Sequence, residues 1–363
     1  MKSIWLFALA FAGAMAPVAA AQTVAVEFLL DGEFWKTDDG SLLLARNDGA
    51  VAAEGRLRGW LAWRPSQHLE WLLHAMVEGG SAQYGDPDVY LEQLELRALA
   101  SRALTLEAGK LLQPIGEFGT RRFSNTNPLI GTPDAYPAQY PWAAIAAGRV
   151  GPLDYRAGVS SLPSVNTRYL PEPDHRLRPV GGLGLNVGPG LRIGAAVSHG
   201  PYLSRDVTPQ LPPGRTWNEY RQTVVATNLR WSYGYVEARA EGVWSSYDVP
   251  TAPQQLHGLG WYGELRGTIS PRVFVAGRFE HSRYAFILPI NPTFWVARET
   301  TQMNGEVGVG YRFSAAALVK TSFRRDHWPV HSITGAPPFP DGYAVAVQFS
   351  WQASATDLLA SRY

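Results

Sequence analysis

From about residue 23 onward, apolar and polar side chains alternate along the chain in runs separated by Gly, Pro, Asn and Asp. In "EGRLRGWLAWRPSQHLEWLLHA" (residues 54–75), Glu54, Arg56, Arg58, Trp60, Ala62 and Arg64 share one parity, and Gly55, Leu57, Gly59, Leu61 and Trp63 share the other. Successive side chains of a strand point to opposite faces, so each run predicts a strand with one charged and one apolar face. Such runs fall near 23–31, 50–64, 68–79, 88–99, 103–111, 142–150, 153–161, 178–188, 190–199, 220–233, 234–246, 257–269, 272–284, 299–313, 315–326 and 341–351. The count is sixteen, and fourteen to eighteen are compatible with the pattern. Two runs are irregular: 220–233 changes parity near Asn228, and Lys110 sits on an apolar parity, which predicts bulges or strand ends there.

The connections alternate in length. "PSQ" after Arg64, then 101–102, 151–152, 189–190, 233–235, 270–271 and 314–315 are hairpin-sized turns, whereas 80–87, 112–141, 162–177, 200–219, 246–256, 285–298 and 327–340 are long. Short turns at one end and long loops at the other form the pattern of a transmembrane antiparallel β-barrel. Most runs are 9 to 14 residues, enough to cross a bilayer at a tilt, whereas strands of soluble sheets usually have about 5 or 6. No apolar run outside the N-terminal segment approaches the roughly 18 residues of a spanning helix.

Sixteen strands enclose more volume than side chains fill, so the polar parity faces water inside and the apolar parity faces lipid. The reverse would put many arginines in hydrocarbon at about 2–4 kcal/mol each at the midplane. Leu57, Leu61, Trp63, Leu69, Trp71 and Leu73 are therefore expected on the lipid side. Trp63, Trp71, Tyr155, Trp244, Trp261, Tyr311, Phe313 and Trp351 lie near strand ends, where aromatic rings suit the membrane interfaces.

Composition adds an address. Lys2, the apolar run that follows it and the small residues Ala19 and Ala21 predict a cleaved signal peptide at 1–21, a single barrel at 22–351 and a C-terminal tail at 352–363. Removing the signal leaves 31 basic and 31 acidic residues, which argues against nucleic acid as a partner. Of the 32 basic residues 28 are Arg, whose planar fork suits carboxylate and phosphate. There is no Cys, so disulfides and thiolate metal sites are excluded.

The segment "GKLLQPIGEFGTRRFSNTNPLIGTPDAYPAQYP" followed by "GRVGPLDYRAGV" is similar to the Gly-Lys-x-x-x-Pro-x-Gly segment and later turn of phosphate-selective porins, and the whole pattern resembles bacterial outer-membrane porins. The resemblance implies a water-filled channel for passive diffusion of small hydrophilic solutes. It also implies outer-membrane location, lipids as partners, a homotrimer, and a third loop, 112–141, that folds inward to narrow the pore. Porins commonly end in an aromatic on the last strand; here the candidates are Phe349 and Trp351, and the tail that follows is a departure.

The third loop is stiffened by Pro114, Pro128, Pro133, Pro137 and Pro141, with turns permitted at Gly116, Gly119 and Gly131, and it carries Glu117, Arg121, Arg122, Asn125, Asn127 and Asp134. One reading opposes Arg121 and Arg122 to Arg56, Arg58, Arg97 and Arg156 on the wall, a constriction that attracts anionic solutes. The other has the loop arginines bind acidic wall residues. Glu54, Glu95, Glu107, Glu237, Glu241, Glu264, Glu280 and Glu306 share the lumen parity and leave both open. A barrel enzyme (protease or lipid hydrolase) or a structural or adhesion barrel are the alternatives. The eight His residues are scattered, and His327 and His331 share no helix face, so the pattern implies no catalytic residue, cofactor or metal.

Overall fold

A computed structural model describes residues 23–40, 44–81, 87–133, 139–165, 170–329 and 340–355. The expected signal segment 1–21, Asp134, Pro137, His331 and the tail from 356 lie outside the described residues. The strands are β1 (Thr23–Thr37), β2 (Val51–Ser66), β3 (Leu69–Gly80), β4 (Asp88–Ser101), β5 (Leu104–Lys110), β6 (Trp142–Val150), β7 (Leu153–Ser160) and β8 (Arg178–Asn186). They continue as β9 (Leu191–Pro201), β10 (Arg221–Tyr233), β11 (Val236–Tyr247), β12 (Leu256–Thr268), β13 (Val273–Asn291), β14 (Phe294–Arg312), β15 (Ala317–His327) and β16 (Gly342–Ser354). Each pairs antiparallel with its sequence neighbours, and β1 pairs with β16 to close a sixteen-strand, all-β barrel. Closure leaves no edge, so every strand has partners on both sides.

The parity assignment decides which residues are outside. Leu57, Trp63, Trp71, Val307, Val309, Val345, Val347 and Phe349 are exposed on the outer face, while Glu54, Arg58, Glu95, Glu241, Glu306 and Gln348 are buried within the barrel. Trp63, Trp71, Tyr311, Phe313 and Trp351 ring the turn end, and Trp244 and Trp261 stand toward the loop end, all exposed outward.

Three expectations change. The register of β10 against β9 and β11 runs unbroken from Arg221 to Trp231, so the strand has no bulge near Asn228. Its inward positions Val224 and Ala226 are apolar because Phe118 of the third loop packs on them. Residues 285–298 are not a long loop: β13 and β14 remain paired out to Asn291 and Phe294. That extension is held on one side by Phe286 and Val296 against Trp328, and on the other by Ile287 and Trp295 against Tyr202, Leu211 and Tyr247. Lys110, by contrast, is a strand end as expected, the last residue of β5, with its ammonium on the carbonyl of Leu91 at 2.6 Å, beside a register shift in β4. The first strand also runs six residues further than its apolar pattern predicts, because Asp31 and Glu33 are inward residues of the same strand.

Candidate functional site

Between β5 and β6 the third loop enters the barrel. A backbone segment inside must find partners for its polar groups, and the inward row of the wall supplies them. Leu111 anchors the entry on Ala143, Ile145 and Val180. The side-chain amide of Gln113 then donates to Ser160 Oγ (3.4 Å), the carbonyl of Leu162 (3.2 Å) and Ser164 Oγ (3.1 Å). The Glu117 N–H donates to Glu241 Oε2 at 2.8 Å, and the Tyr262 hydroxyl donates to Glu241 Oε1 at 2.5 Å. Phe118 fills the apolar patch made by Ala196, Val224, Ala226, Val243 and Tyr262.

The adjacent arginines then reach opposite walls. Arg121 donates to Glu264 Oε1 at 2.7 Å and to the Tyr262 hydroxyl at 3.2 Å on β12, and its guanidinium lies 5.0 Å from the Phe118 ring. Arg122 pairs with Glu92 on β4 at 2.5 Å. In a closed ring of sixteen, β4 and β12 are eight strands apart and face each other, so two consecutive residues bridge the lumen. Burial is the largest influence on both and works against the charge; for Arg121 Glu264 and Tyr262 together outweigh it, and for Arg122 Tyr140 and Glu92 together do, so each guanidinium is held above its ordinary value.

The second half of the loop lands on β14–β16 and on β1 and β2. Phe123 meets Trp60 edge-on at 5.2 Å, and Trp60 stacks on the buried His74 at 4.5 Å. Ser124 donates to Asp31, and Asn125 donates to Gln352 Oε1 at 2.7 Å. Lys320 Nζ donates to the carbonyls of Asn127 and Leu129, both at 2.9 Å, while Glu306 Oε1 accepts from the N–H groups of Ile130 (3.1 Å) and Gly131 (2.9 Å). A Cβ at position 131 would stand 2.5 Å from Glu306 Oε2, so glycine permits this approach. Arg324 closes the series on the carbonyl of Thr132 at 3.1 Å.

The residues that the pattern singled out fall into two groups. Around the loop, Arg56 bonds Glu33 (3.0 Å), Glu78 (2.9 Å) and Glu54, Arg58 bonds Asp31 (2.7 Å) and lies over Phe123, and Glu117 pairs with Arg192. Nearer the turn end, Arg97 bonds Glu95 at 2.5 Å and Arg156 bonds Glu107 at 2.6 Å; among the described residues the ion pairs of this second group do not include the loop. Each of the nine is ion-paired, so the loop arginines bind acidic wall residues and do not stand free opposite the wall arginines. Lys320, Asp31, Tyr262 and the fully buried Arg278, held by Glu264, Glu280 and Glu306, belong to the same site and were not singled out. Their inward parity was the available signal.

No family model matches the chain, and no curated protein matches it in sequence. Solved structures share its fold. An anion-selective porin from Comamonas acidovorans matches with a TM-score of 0.64 at 9% identity, covering 92% of this chain and 100% of that one. OmpT, an outer membrane protein of Vibrio cholerae, in its in-vitro folded trimer form, matches at 0.57 and 11% identity over 92% of this chain and 100% of that one. At such identities the likeness carries the architecture alone: this chain has the sixteen-strand barrel fold of outer-membrane proteins.

Proposed function

We propose that the protein is an outer-membrane porin: a passive diffusion channel for small hydrophilic solutes, narrowed by residues 112–141. The observation that carries this reading is the third loop bonded across a wide, charge-lined barrel from β4 to β12. A loop anchored at so many points leaves a fixed, water-lined passage beside it, and a filled or catalytic lumen has no need of one. Near the loop the acids match the arginines, so charge selection there is weak; a preference for anionic solutes rests on arginines nearer the turn end. The same reading takes 1–21 as an export signal removed in transit, 22–351 as the barrel with 352–363 as its tail, lipids as the surroundings and three barrels as the assembly.

The test is reconstitution of the refolded barrel into planar bilayers. Stepwise conductance increments, with a reversal potential displaced toward anions in a salt gradient, are the expected result. Folded protein that inserts and carries no current overturns the channel; hydrolysis of peptide or lipid then makes it an enzyme, and its absence a structural or adhesion barrel.

A further inference from the structure

We propose that Glu27, Trp60 and Phe123 form a binding site for a small organic cation of the alkylammonium type, on the turn side of the third loop. This deepens the channel reading and rests on it for the solute's access. Glu27 shares the inward parity of Asp31 and Glu33, and it stands directly opposite Trp60 in the register of β1 and β2. Directly opposed residues have Cβ atoms about 4.5–5.5 Å apart. On its other side Trp60 stands opposite His74, whose ring stacks on it at 4.5 Å with 11° between the planes. His74 thus takes the indole face turned to β3 and leaves the face turned to β1, where Glu27 is. Phe123 of the loop stands nearly perpendicular to both rings, 5.2 Å from Trp60 and 5.5 Å from His74. Glu27, Trp60 and Phe123 line one recess of about 350 Å³, together with Gln93, Asn125 and Gln352. Ligand pockets usually hold about 300–1,000 Å³, so the space suits a small solute.

The charge of this recess has no counterpart in the chain. Among the described residues Glu27 makes no hydrogen bond and no ion pair, and it is exposed to the lumen. The arginines around it have carboxylates of their own: Arg58 bonds Asp31, Arg122 bonds Glu92 and Arg64 bonds Glu70. Arg58 and Arg122 also lie over the Phe123 ring, at 5.6 and 5.1 Å, so that ring already serves cations of the chain. Among the described residues no cation of the chain stands over Trp60. A carboxylate beside an open indole face is the donor set for an alkylammonium ion, because the ring quadrupole attracts the cation while the carboxylate answers its charge. A neutral sugar would stack on the same face and leave Glu27 unanswered, and an anion would be repelled by it. The amides of Gln93 and Gln352 can receive a hydroxyl carried by the solute. Selection by a ring face as well as by charge makes this site separate from the small-ion selectivity of the passage.

Choline, as its chloride, is the probe. Added on both sides to potassium chloride electrolyte, it is expected to reduce the reconstituted wild-type current saturably, and sodium at the same concentration is not. The half-blocking concentration should rise about fivefold or more in Glu27→Gln and in Trp60→Leu. Glu237→Gln, which removes the same charge from β11 on the far wall, should leave it unchanged. Calorimetric titration of choline chloride into the detergent-solubilised barrel gives a second readout that needs no current. Migration on unheated gels shows that each variant is folded. Glu27→Gln removes no hydrogen bond or ion pair among the described residues, so it tests the site apart from the packing that Trp60→Leu disturbs. Currents with identical choline block in wild type and Glu27→Gln overturn the site and leave the channel standing. Glu27-dependent choline binding by a barrel that carries no current keeps the site and overturns the channel. Absence of both block and binding, an equal effect of sodium, or block by glucose and none by choline overturns the site.

Discussion

Arg121 is 6% exposed, and its carboxylate partner Glu264 is 5% exposed. At such burial each ion depends on its partner, and removing one side of a buried pair costs about 3–5 kcal/mol because the other charge is stranded. Glu264→Ala strands Arg121 and weakens the hold on Arg278, so the third loop should come loose. Trypsin should then cut the folded barrel after Arg121 or Arg122 many times faster than it cuts wild type, and single-channel currents should become noisier. Arg56 sits among Glu33, Glu54 and Glu78, so Arg56→Glu brings four carboxylates together and should move the reversal potential toward cations. On the other face of the same strand Leu57 is exposed on the outside of the barrel. Leu57→Arg should make membrane insertion less favourable by about 2–4 kcal/mol, read as a reduced folded fraction in lipid vesicles.

Among the elements, the third loop and the β13–β14 hairpin make opposite uses of length. The loop is tied down by wall residues, Lys320 and Glu306 above all, and Lys320→Met would leave the carbonyls of Asn127 and Leu129 without their donor. We expect that variant to keep its folded migration and to conduct more per channel, because the second half of the loop swings away from β15. The hairpin tip instead holds other loops: Trp295 donates to the carbonyl of Gln210 at 2.7 Å and packs in the cluster with Tyr202 and Trp217. Replacing 286–295 by a two-residue turn should leave barrel folding intact while loosening the loop that carries the exposed Arg205 and Arg215, visible as faster tryptic cleavage on a gel. The chain pattern hid this hairpin because Pro289 and the "NPT" that follows look like a loop, and pairing there is decided by contacts with residues far away in sequence. The apparent parity change in β10 has the same origin, since Val224 and Ala226 are apolar for the sake of Phe118.

Taken whole, the barrel stands or falls on the seam between its ends. Glu27 to Thr37 of β1 pair with Ser354 back to Ala344 of β16, and Gln352 also receives the loop through Asn125. Truncation after Ser354 should preserve the folded form. Truncation after Trp351 removes three paired residues and the Asn125 contact, and should lower the yield of heat-modifiable protein. Alternation and turn length were enough to read the sixteen strands, the lipid-facing row, the charged interior and a third loop rich in Arg and Pro, because strand parity is a local property of the chain. Charge pairing is not local. Which acid each arginine meets depends on the register of strands far apart in sequence and on where the loop crosses. Only the closed barrel brings Arg121 to Glu264 and Arg122 to Glu92.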